Sequence, residues 1–531
     1  MTPREEIQDR PLKDRHIRGV SRRNISKALL FAPFVLRANP NLSRARVKLD
    51  RDRVIGPIDQ KIYGNFTEHL GRCIEGGIFQ ENSPLSDANG YRRDVFKAVE
   101  DLHVTLLRWP GGNFASNYFW TDGIGPRDQR PSRLELAWGT VEDNRFGTHE
   151  FLNYAEKLGT KPYLCANLGT GSWELAERWV EYCNSSQPTA MTKLRQKNGR
   201  QDPWKVEYWG LGNEMDGPWQ MGHRTASDYG KFALETAKIM KLVDPSIKLV
   251  AAGAADLRGD WVGWNRTVLE TLKDHADYLS LHLYVGNREN NFEEFMASSC
   301  QLANLTKTAE GIIRSALLGA RPGKKLYIAW DEWNVWYRER GQGKESGRHI
   351  LEERYNLEDA LVIATFLNTF LNNAHIVKIA NLAQLVNVIA PIFTNDNGLF
   401  LQTIYYPLQL FANNSKGVAL ELFVDSPTYT SKTWGSVPFL DISAAYDNGS
   451  LVLNVVNRHQ TEALEAEFEA QDAKFSNAFA VSEVNGPDIK AENTFGSQKV
   501  GIRKSSANVT NNRLIYSFPP HSYTMLKGQM I

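Results

Sequence analysis

Eight short, β-rich apolar runs alternate with amphipathic segments between about residue 60 and residue 385. Parallel strands need a crossover between them, usually a helix, so this alternation predicts an α/β fold with a parallel sheet. Eight β/α units are the number that closes a (β/α)8, or TIM, barrel. The predicted strands are Ile62–His69, Val104–Trp109, Pro162–Asn167, Val206–Gly212, Lys248–Gly253, Tyr278–Tyr284, Leu326–Glu332 and Ile376–Ala383.

Several of these runs, such as Tyr163–Ala166 and Leu249–Ala252, are apolar throughout, as expected for strands that are buried on both faces. Segments such as Ala226–Val243 have the spacing of amphipathic helices. The alternative is an open doubly wound sheet. That fold usually carries a G-x-G-x-x-G loop, which Gly76-Gly77 does not match. The barrel is therefore the preferred prediction.

The pattern changes after about residue 405, where short β-rich runs are separated by Asn, Gly, Pro and Ser. Asp447-Asn448-Gly449 lies between two such runs and is a strong hairpin signal. This region predicts an antiparallel β-sandwich, similar to a jelly roll. A strand-like segment, Ala45–Val54, precedes the barrel and is expected to join that sandwich. The predicted divisions are a terminal strand at 46–58, a catalytic barrel at 59–400 and a sandwich at 401–531.

The first 45 residues are rich in Arg and Lys. Arg22-Arg23 stands in a Ser-Arg-Arg-x-Ile-x-Lys pattern, and a short apolar stretch, Ala28–Leu36, follows. This arrangement resembles a twin-arginine signal and predicts export to the periplasm or the exterior. The alternative is a basic tail on a cytoplasmic protein. No run reaches the ~20 apolar residues that span a bilayer, so no membrane association is predicted after maturation.

The charge balance argues against polyanionic partners. The chain has 62 Lys+Arg and 61 Asp+Glu, a formal charge of +1, so we predict no nucleic-acid partner. A neutral substrate fits better, and 14 Trp, 19 Tyr and 24 Phe offer flat faces for sugar rings. We find no HExxH motif, EF-hand loop or Cys/His cluster, and therefore predict no metal and no cofactor. The four cysteines are expected to be free thiols.

Functional side chains of a (β/α)8 barrel project from the carboxyl ends of its strands. Glu214 follows the fourth predicted strand, and Glu332 ends the seventh. Two carboxyls that meet in one cavity are what glycosidic bond cleavage requires, and a separation of ~5–5.5 Å is typical of retaining enzymes. Two neighbouring carboxylates compete for these roles. Alternation along a strand turns Glu207 and Asp331 away from the catalytic pair, so neither is assigned to the chemistry.

We assign the acid/base role to Glu214 and the nucleophile role to Glu332. An acid must hold a proton near neutral pH, so Glu214 is expected to have a raised pKa. Trp209, Trp219 and the second carboxylate are expected to raise it by burial and by charge. Glu332 must be ionised in order to attack.

Five motifs resemble those of the α-L-arabinofuranosidases of glycoside hydrolase family 51, which belong to a large clan of retaining enzymes with catalytic glutamates on strands 4 and 7. The resemblance covers roughly residues 46 to 530, including the sandwich. Gly212-Asn213-Glu214 is the feature shared with the wider clan. The five family motifs are Tyr63–Arg72, Arg108–Phe114, Asp122–Pro126, Trp330–Tyr337 and Asn381–Asn387.

The resemblance implies that Glu68, Asn113 and Gln384 bind sugar hydroxyls, although each also has a structural alternative. Glu68, for example, would serve only to orient Arg108 by a charged hydrogen bond. Arg108 is itself included among the predicted substrate-binding residues. Asn213 is expected to hydrogen-bond the sugar 2-hydroxyl, where contacts strengthen in the transition state.

Four further residues complete the predicted site. Tyr284 is expected to donate to the nucleophile carboxylate. His282 is expected to donate to either carboxyl or to a substrate oxygen, and the alternative is a purely structural histidine. Trp336 and Trp138 are expected to form apolar walls, although for Trp138 a place in the core fits nearly as well.

The sequence therefore predicts a retaining, exo-acting α-L-arabinofuranosidase that removes terminal arabinofuranosyl groups from arabinoxylan, arabinan or their oligosaccharides. One alternative is an endo-acting β-1,4-glucanase or xylanase on the same barrel, because related scaffolds differ mainly in their loops. Another is a sugar-binding protein without catalytic activity. The family is often oligomeric, so a homo-oligomer is a further option, but no segment of this chain identifies an interface.

Overall fold

The structure is a computed structural model that describes residues 44–337 and 348–531. The Arg22-Arg23 pattern and the apolar stretch after it lie outside the described residues. The strands before residue 402 are β1 Ala45–Leu49, β2 Val54–Pro57, β3 Gly64–Phe66, β4 Leu106–Trp109, β5 Arg133–Glu135, β6 Thr140–Glu142, β7 Lys161–Ala166, β8 Tyr208–Leu211, β9 Lys248–Ala252, β10 Tyr278–Val285, β11 Tyr327–Val335, β12 Val377–Ala383, β13 Ile392–Asn395 and β14 Gly398–Leu401.

The later strands form the C-terminal domain, and the helices lie mainly between the barrel strands. The later strands are β15 Val418–Leu420, β16 Phe423–Asp425, β17 Thr428–Ser431, β18 Gly435–Pro438, β19 Leu440–Asp447, β20 Ser450–Asn457, β21 Leu464–Ala470, β22 Ala478–Asn485, β23 Gly501–Thr510, β24 Arg513–Phe518 and β25 Ser522–Gln529. The α-helices of the described residues are α1 Arg93–Leu102, α2 Thr148–Leu158, α3 Trp173–Asn184, α4 Ala190–Lys197, α5 Ala226–Val243, α6 Trp261–Leu272, α7 Phe292–Met296, α8 Ser298–Leu317, α9 Leu357–Leu371 and α10 Tyr405–Asn414.

Strands β3, β4, β7, β8, β9, β10, β11 and β12 form a closed barrel in that order, and β12 pairs with β3 to complete it. All neighbouring strands are parallel. The predicted α/β fold class, a (β/α)8 barrel with a C-terminal sheet-rich domain, is confirmed. Side chains fill the barrel interior as a packed layer, as the fold requires. That layer consists of Leu106, Tyr163, Tyr208, Val250, Tyr278, Ala329 and Ile379.

Two barrel strands differ in length from the prediction. The first is only Gly64–Phe66, because a 3-10 helix at Gln60–Tyr63 replaces its predicted beginning. The side chain of Asp59 caps that helix by accepting from the backbone N–H of Lys61. The seventh barrel strand, β11, continues past Glu332 to Val335, because its pairing with β10 continues to the same residue. The longer strand fixes the residues that follow Glu332 in the barrel wall.

The C-terminal domain contains an eleven-stranded sheet in the order β16-β1-β21-β24-β23-β22-β25-β20-β19-β15-β2. Strand β1 is parallel to β21, a departure from the predicted all-antiparallel arrangement. The strand predicted over Ala45–Val54 ends at Leu49, as β1, and a second strand, β2, begins at Val54; the two lie near opposite ends of this order. The predicted strand Val418–Val424 is likewise divided, because β15 pairs with β2 and β19 whereas β16 pairs with β1.

The barrel and the sheet-rich domain pack directly on each other. Every residue of α9 is buried, and the amide of Asn368 on that helix donates to Asp441 Oδ1 at 2.6 Å. Helix α10 packs back on the barrel, where Tyr405 donates to the carbonyl of Ala98 at 2.8 Å. The four cysteines are free thiols, as predicted. Across the described residues, every helix is too short or too polar to cross a lipid bilayer.

Candidate active site

A cavity of about 680 Å³ opens at the carboxyl ends of the barrel strands. Nine of the predicted site residues line it: Glu68, Asn113, Trp138, Glu214, His282, Tyr284, Glu332, Trp336 and Gln384. Arg108 and Asn213 are buried and contact the carboxylates that line this cavity or the residues beside them. The structure thus brings all eleven predicted site residues together.

Glu332 lies on β11 and is held by two donors. Arg108 donates from Nη1 to Oε1 at 2.7 Å, and Tyr284 donates from its hydroxyl to Oε2 at 2.9 Å. Glu332 is 6% exposed, so these hydrogen bonds replace most of the contact of its carboxylate with water. Two donors aimed at the two oxygens fix the orientation of the carboxylate.

Glu214 follows β8 in a turn that requires unusual backbone angles. Gly212 has a φ of +82° and Glu214 a φ of +44°. A side chain at Gly212 would be strained at this angle, and its Cβ would lie only 3.0 Å from the Cβ of Leu168. A non-glycine residue with positive φ is uncommon and is often associated with functional sites. The turn aims the Glu214 carboxyl into the cavity.

Two donors also contact Glu214. Trp219 donates from Nε1 to Oε2 at 2.5 Å, and Nδ1 of His282 lies 2.9 Å from Oε1. The same Nδ1 atom lies 3.5 Å from Oε2 of Glu332. One carboxylate oxygen of Glu214, one of Glu332 and one ring nitrogen of His282 all lie within 4.8 Å of one another. The two carboxyls are therefore close enough to act on the same sugar carbon and its leaving oxygen.

The expected rise in the pKa of Glu214 is wrong, because the structure lowers that pKa. Burial raises the pKa of Glu214, but the hydrogen bond and charge of His282, with Trp219 and Arg108, outweigh burial and lower it. Burial lowers the pKa of His282, yet Glu332, Asp331 and Glu214 together raise it to about 10. In the Glu214–His282 pair the proton therefore lies on the imidazole of His282, whereas Glu214 was expected to hold it.

Arg108 is buried and donates hydrogen bonds to several groups of the site. In addition to Glu332, it donates to Oδ1 of Asn213 at 2.6 Å and to the backbone carbonyl of Asp331 at 3.1 Å. Its guanidinium also lies over the ring of Phe66, with 4.6 Å to the ring centroid. Five N–H donors in a rigid fork suit this position, where a lysine would satisfy fewer partners.

Asp331 departs from the simple alternation that was used to exclude it. The pairing of β10 with β11 shifts register between Ser280 and His282, so β11 has one extra residue there. Such a bulge changes the direction of a side chain. As a result Asp331 and the next residue, Glu332, both face Arg108 and His282, at distances of 2.7 to 3.8 Å. Glu207, by contrast, is paired with Lys161 at 2.8 Å.

Glu68 forms a second polar centre in the cavity. It accepts hydrogen bonds from the backbone N–H of Phe114 at 3.0 Å, from Trp138 Nε1 at 3.2 Å and from Gln384 Nε2 at 2.9 Å. Burial, with the nearby charge of Glu332, raises the pKa of Glu68 to about 8 against the opposing effect of these donors. Among the described residues no hydrogen bond joins Glu68 to Arg108, so the orienting alternative lacks support.

The remaining predicted residues form the walls. Trp138 donates to Glu68 and so lines the cavity rather than the core. Trp336 packs edge-on against Tyr284, with 5.2 Å between ring centroids. The Oε1 atom of Gln384 is buried without a hydrogen-bond partner among the described residues, which leaves an acceptor for a bound hydroxyl. Asn113 begins a short 3-10 helix after β4 and borders the cavity.

Sequence reasoning missed several residues of this cavity. The loop after β9 contributes Ala255, Asp256, Leu257 and Arg258, and two later loops contribute Leu351 and Ile389. Leu351 and Ile389 have φ values of +59° and +38°. The side chains at these positions did not indicate a functional site in the sequence, because the conformation of the loops brings them to the cavity. Tyr163 and Ser280 lie in predicted strands and contact Asp331. A hydroxyl group within an otherwise apolar strand was the sequence feature that could have identified them.

Comparison with known protein families identifies two matching regions. The family model described as the α-L-arabinofuranosidase 1 domain matches residues 98–299. The model described as the α-L-arabinofuranosidase C-terminal domain matches residues 331–522. Among characterised relatives, the intracellular exo-α-(1→5)-L-arabinofuranosidase 1 of Bacillus subtilis is 39% identical over 499 residues, which cover 92% of this chain and 99% of the relative.

Solved structures give the same result. An α-L-arabinofuranosidase from Thermotoga maritima in complex with arabinose has a TM-score of 0.83 and 38% identity, and the match covers 92% of this chain and 100% of that one. A family 51 α-L-arabinofuranosidase from Bifidobacterium longum has a TM-score of 0.86 and 32% identity, covering 91% and 99%.

Proposed function

The chain belongs to the α-L-arabinofuranosidases of glycoside hydrolase family 51, and we propose that Glu332 is the nucleophile and Glu214 the acid/base of its retaining reaction. One observation carries this proposal: the two carboxyls, far apart in sequence, present oxygens within 4.8 Å of each other in a single cavity. Retaining glycosidases hold their carboxyls closer than inverting enzymes, which leave room for a water molecule.

In the first step, a carboxylate oxygen of Glu332 attacks the anomeric carbon of the arabinofuranosyl group. The bond from that carbon to the glycosidic oxygen breaks, and Glu214 delivers a proton to the departing oxygen. The products are the free alcohol and an ester between the sugar and Glu332. Arg108 and Tyr284 hold the attacking carboxylate in a fixed direction, which lowers the entropic cost of reaching the transition state.

In the second step, Glu214 accepts a proton from water while the water oxygen attacks the same anomeric carbon. The ester bond breaks, which restores the Glu332 carboxylate and releases arabinose with its original configuration. His282 contacts both carboxyls and is therefore placed to respond to the charge that moves between them.

The sugar is held by the second polar centre and the walls of the cavity. We assign hydroxyl binding to Glu68, Asn113 and Gln384, and contact with the ring or the leaving group to Trp138 and Trp336. Asn213 receives its orientation from Arg108, so its amide is the predicted donor to the 2-hydroxyl. Each of these assignments rests on position in the cavity and on hydrogen-bonding capacity.

The substrate class follows from the family and its relatives. We propose that the chain removes terminal arabinofuranosyl groups from arabinan, arabinoxylan or their oligosaccharides. The name of the Bacillus subtilis relative specifies exo action on α-(1→5) linkages, which favours linear arabino-oligosaccharides as the first substrates to assay. Neither the endo-glucanase or xylanase alternative nor the inactive sugar-binding alternative gains support from these relatives.

Location and assembly are further parts of the proposal. The Bacillus subtilis relative is named intracellular, which favours the cytoplasmic alternative over export. Fractionation of cells that produce residues 1–531, with and without Arg22→Lys and Arg23→Lys, tests this choice: arginine-dependent export would overturn it. Homo-oligomer formation stays a prediction, and sedimentation of the purified chain measures it.

Trapping the covalent intermediate tests the residue roles. A 2-fluorinated arabinofuranoside with a good leaving group should form a slowly hydrolysed ester, because fluorine destabilises the positive charge of both transition states. Mass spectrometry of proteolytic fragments should place the added sugar on the peptide that contains Glu332. Glu207→Gln, a change of a carboxylate paired with Lys161, is the matched control and should label normally. Labelling of another carboxylate, or none, would contradict the assignment.

A further inference from the structure

We propose that Asp331 is a positioning residue for the acid/base step: through Ser280 it fixes a proton on Nε2 of His282, so that the hydrogen bond between His282 and Glu214 retains the proton that the leaving group needs. The inference rests on the proposed role of Glu214. It concerns the residue that alternation along β11 would have excluded.

The hydrogen-bond directions follow from the donors that are available. The Ser280 hydroxyl donates to Oδ1 of Asp331 at 2.5 Å. A hydroxyl has a single hydrogen, so the Ser280 oxygen offers only its lone pairs to Nε2 of His282, 3.3 Å away. Nε2 also lies 3.5 Å from Oδ1 of Asp331 itself. Both neighbours of Nε2 are therefore acceptors, and Nε2 must carry a hydrogen.

This constraint determines what Nδ1 can do. With Nε2 protonated, Nδ1 either carries a second hydrogen and donates to the Glu214 carboxylate, or accepts a hydrogen from protonated Glu214. Both arrangements fit the 2.9 Å distance between Nδ1 and Oε1, and both contain one shared proton. The other neutral tautomer, with a hydrogen on Nδ1 alone, would direct the Nε2 lone pair at two acceptors. The pair is therefore set to keep a proton next to the leaving group.

Asp331 is built to stay ionised in this position. Its Oδ2 atom accepts from the hydroxyl of Tyr163 at 2.8 Å and lies 3.8 Å from Nε of Arg108, and the side chain is 1% exposed. Burial raises the pKa of Asp331, but Arg108, His282 and Ser280 outweigh burial and lower it to about 2. A permanent negative charge beneath the imidazole stabilises its protonated form.

The charged and titratable groups around these two side chains come from several strands. Those that face His282 are Glu214 after β8 and Asp331 and Glu332 on β11. Those that face Asp331 are Arg108 on β4, Tyr163 and Cys165 on β7, and His282 on β10. Arg108 is the cation that opposes the proposed effect, and its hydrogen bonds to Glu332 and Asn213 direct most of its donors elsewhere.

The test is the pH dependence of kcat/KM for Asp331→Asn with two substrates. An arabino-oligosaccharide has a poor leaving group and needs the proton, whereas 2,4-dinitrophenyl arabinofuranoside does not. Neutralising Asp331 removes the charge that holds the proton, so the pair should lose it at lower pH. The alkaline limb of the pH profile of kcat/KM for the oligosaccharide should shift to lower pH by about one unit or more. The alkaline limb for the activated substrate should shift much less.

Two further variants separate this role from general damage to the site. Tyr163→Phe removes a donor to Asp331 but leaves its charge, so the alkaline limb should stay in place. Ser280→Ala removes the hydroxyl between Asp331 and His282 but leaves the charge of Asp331. The alkaline limb for the oligosaccharide should therefore shift to lower pH, as for Asp331→Asn, by a smaller amount. Ser280→Ala also decides the matter if Asp331→Asn does not fold.

An unchanged alkaline limb in folded Asp331→Asn, or equal changes with both substrates, would overturn the inference. Failure of the proposed function would give a different result. The single variant Glu214→Ala would then lose the same factor of activity, relative to the wild type, on both substrates. The two outcomes can therefore be distinguished with the same pair of substrates.

Discussion

Arg108 and Glu332 form an ion pair of 2.7 Å in which neither side chain has more than 7% of its surface exposed. The pair joins β4 to β11 across the mouth of the barrel. Desolvation makes a buried pair costly to break, since removal of one partner leaves an uncompensated charge in a poor solvent for ions. The same contact therefore supports both the stability of the barrel and the orientation of the carboxylate that we propose as the nucleophile.

Arg108→Gln should lower the free energy of unfolding by about 3–5 kcal/mol, the range observed when one partner of a buried pair is removed. Denaturant unfolding monitored by tryptophan fluorescence measures the change. Arg200→Gln is the matched control, because the Arg200–Glu156 pair is partly exposed, and such pairs contribute at most about 1 kcal/mol. Equal losses for the two variants would show that burial of the Arg108 pair is unimportant.

Glu214→Ala should reduce kcat/KM in proportion to the basicity of the leaving group. For oligosaccharides we expect a loss on the order of 10²–10⁴-fold, the usual contribution of general acid catalysis. For 2,4-dinitrophenyl arabinofuranoside the first step should be nearly normal, and hydrolysis of the ester should become the slow step. A series of aryl arabinofuranosides measures this dependence. Uniform loss across the series would argue against the acid/base role.

Tyr284→Phe should lower kcat/KM by about 10- to 100-fold, because a hydrogen bond to a charged group contributes about 1.5–3 kcal/mol. The lost contact is the 2.9 Å donation to Oε2 of Glu332. Steady-state kinetics on an aryl arabinofuranoside measures the effect. Tyr154→Phe is the control: its hydroxyl is buried without a hydrogen-bond partner among the described residues, so activity should stay at the wild-type value.

Glu68→Gln should flatten the dependence of stability on pH. Burial raises the pKa of Glu68 from 4.5 to about 8. Because the folded pKa is the higher one, its contribution to stability is complete below pH 4.5 and is lost as the pH rises towards 8. A glutamine cannot ionise, so the fall in Tm over this range should be smaller in the variant.

Thermal unfolding at several pH values between 5 and 8 checks this prediction. The carboxamide of Gln384 can rotate to place its unpartnered Oε1 against the new amide, so the fold should tolerate the change. Glu235→Gln, on the partly exposed face of α5, should retain the wild-type slope. A steeper fall in Tm for Glu68→Gln than for the wild type would contradict the assignment of the raised pKa.

The sequence was most informative about the site where the geometry of the fold alone brings residues close together. Strand ends in a closed parallel barrel meet at one rim, so Glu214 and Glu332 could be predicted to share a cavity without knowledge of any distance. The same logic collected Glu68, Tyr284 and Gln384. The hydroxyl-binding roles of Glu68 and Gln384 needed the family resemblance, because a carboxyl or an amide at a strand end has structural uses as well.

Local irregularities could not be read from the sequence. The bulge on β11 depends on how two strands settle against each other, and it brings Asp331 into contact with His282 against the expected alternation. The lowered pKa of Glu214 depends on a histidine from a different strand. Both effects arise from contacts between elements distant in the chain, whereas periodicity reports only on neighbours within one element.

The position of β1 has a consequence for biosynthesis. Ala45 pairs with Ala466, so the first described strand leaves the ribosome long before its parallel neighbour exists. Until residues 423–470 have been synthesised, β1 lacks both of its neighbours in the sheet, β16 and β21. A product that stops before residue 464 therefore leaves its earliest described strand without its parallel partner.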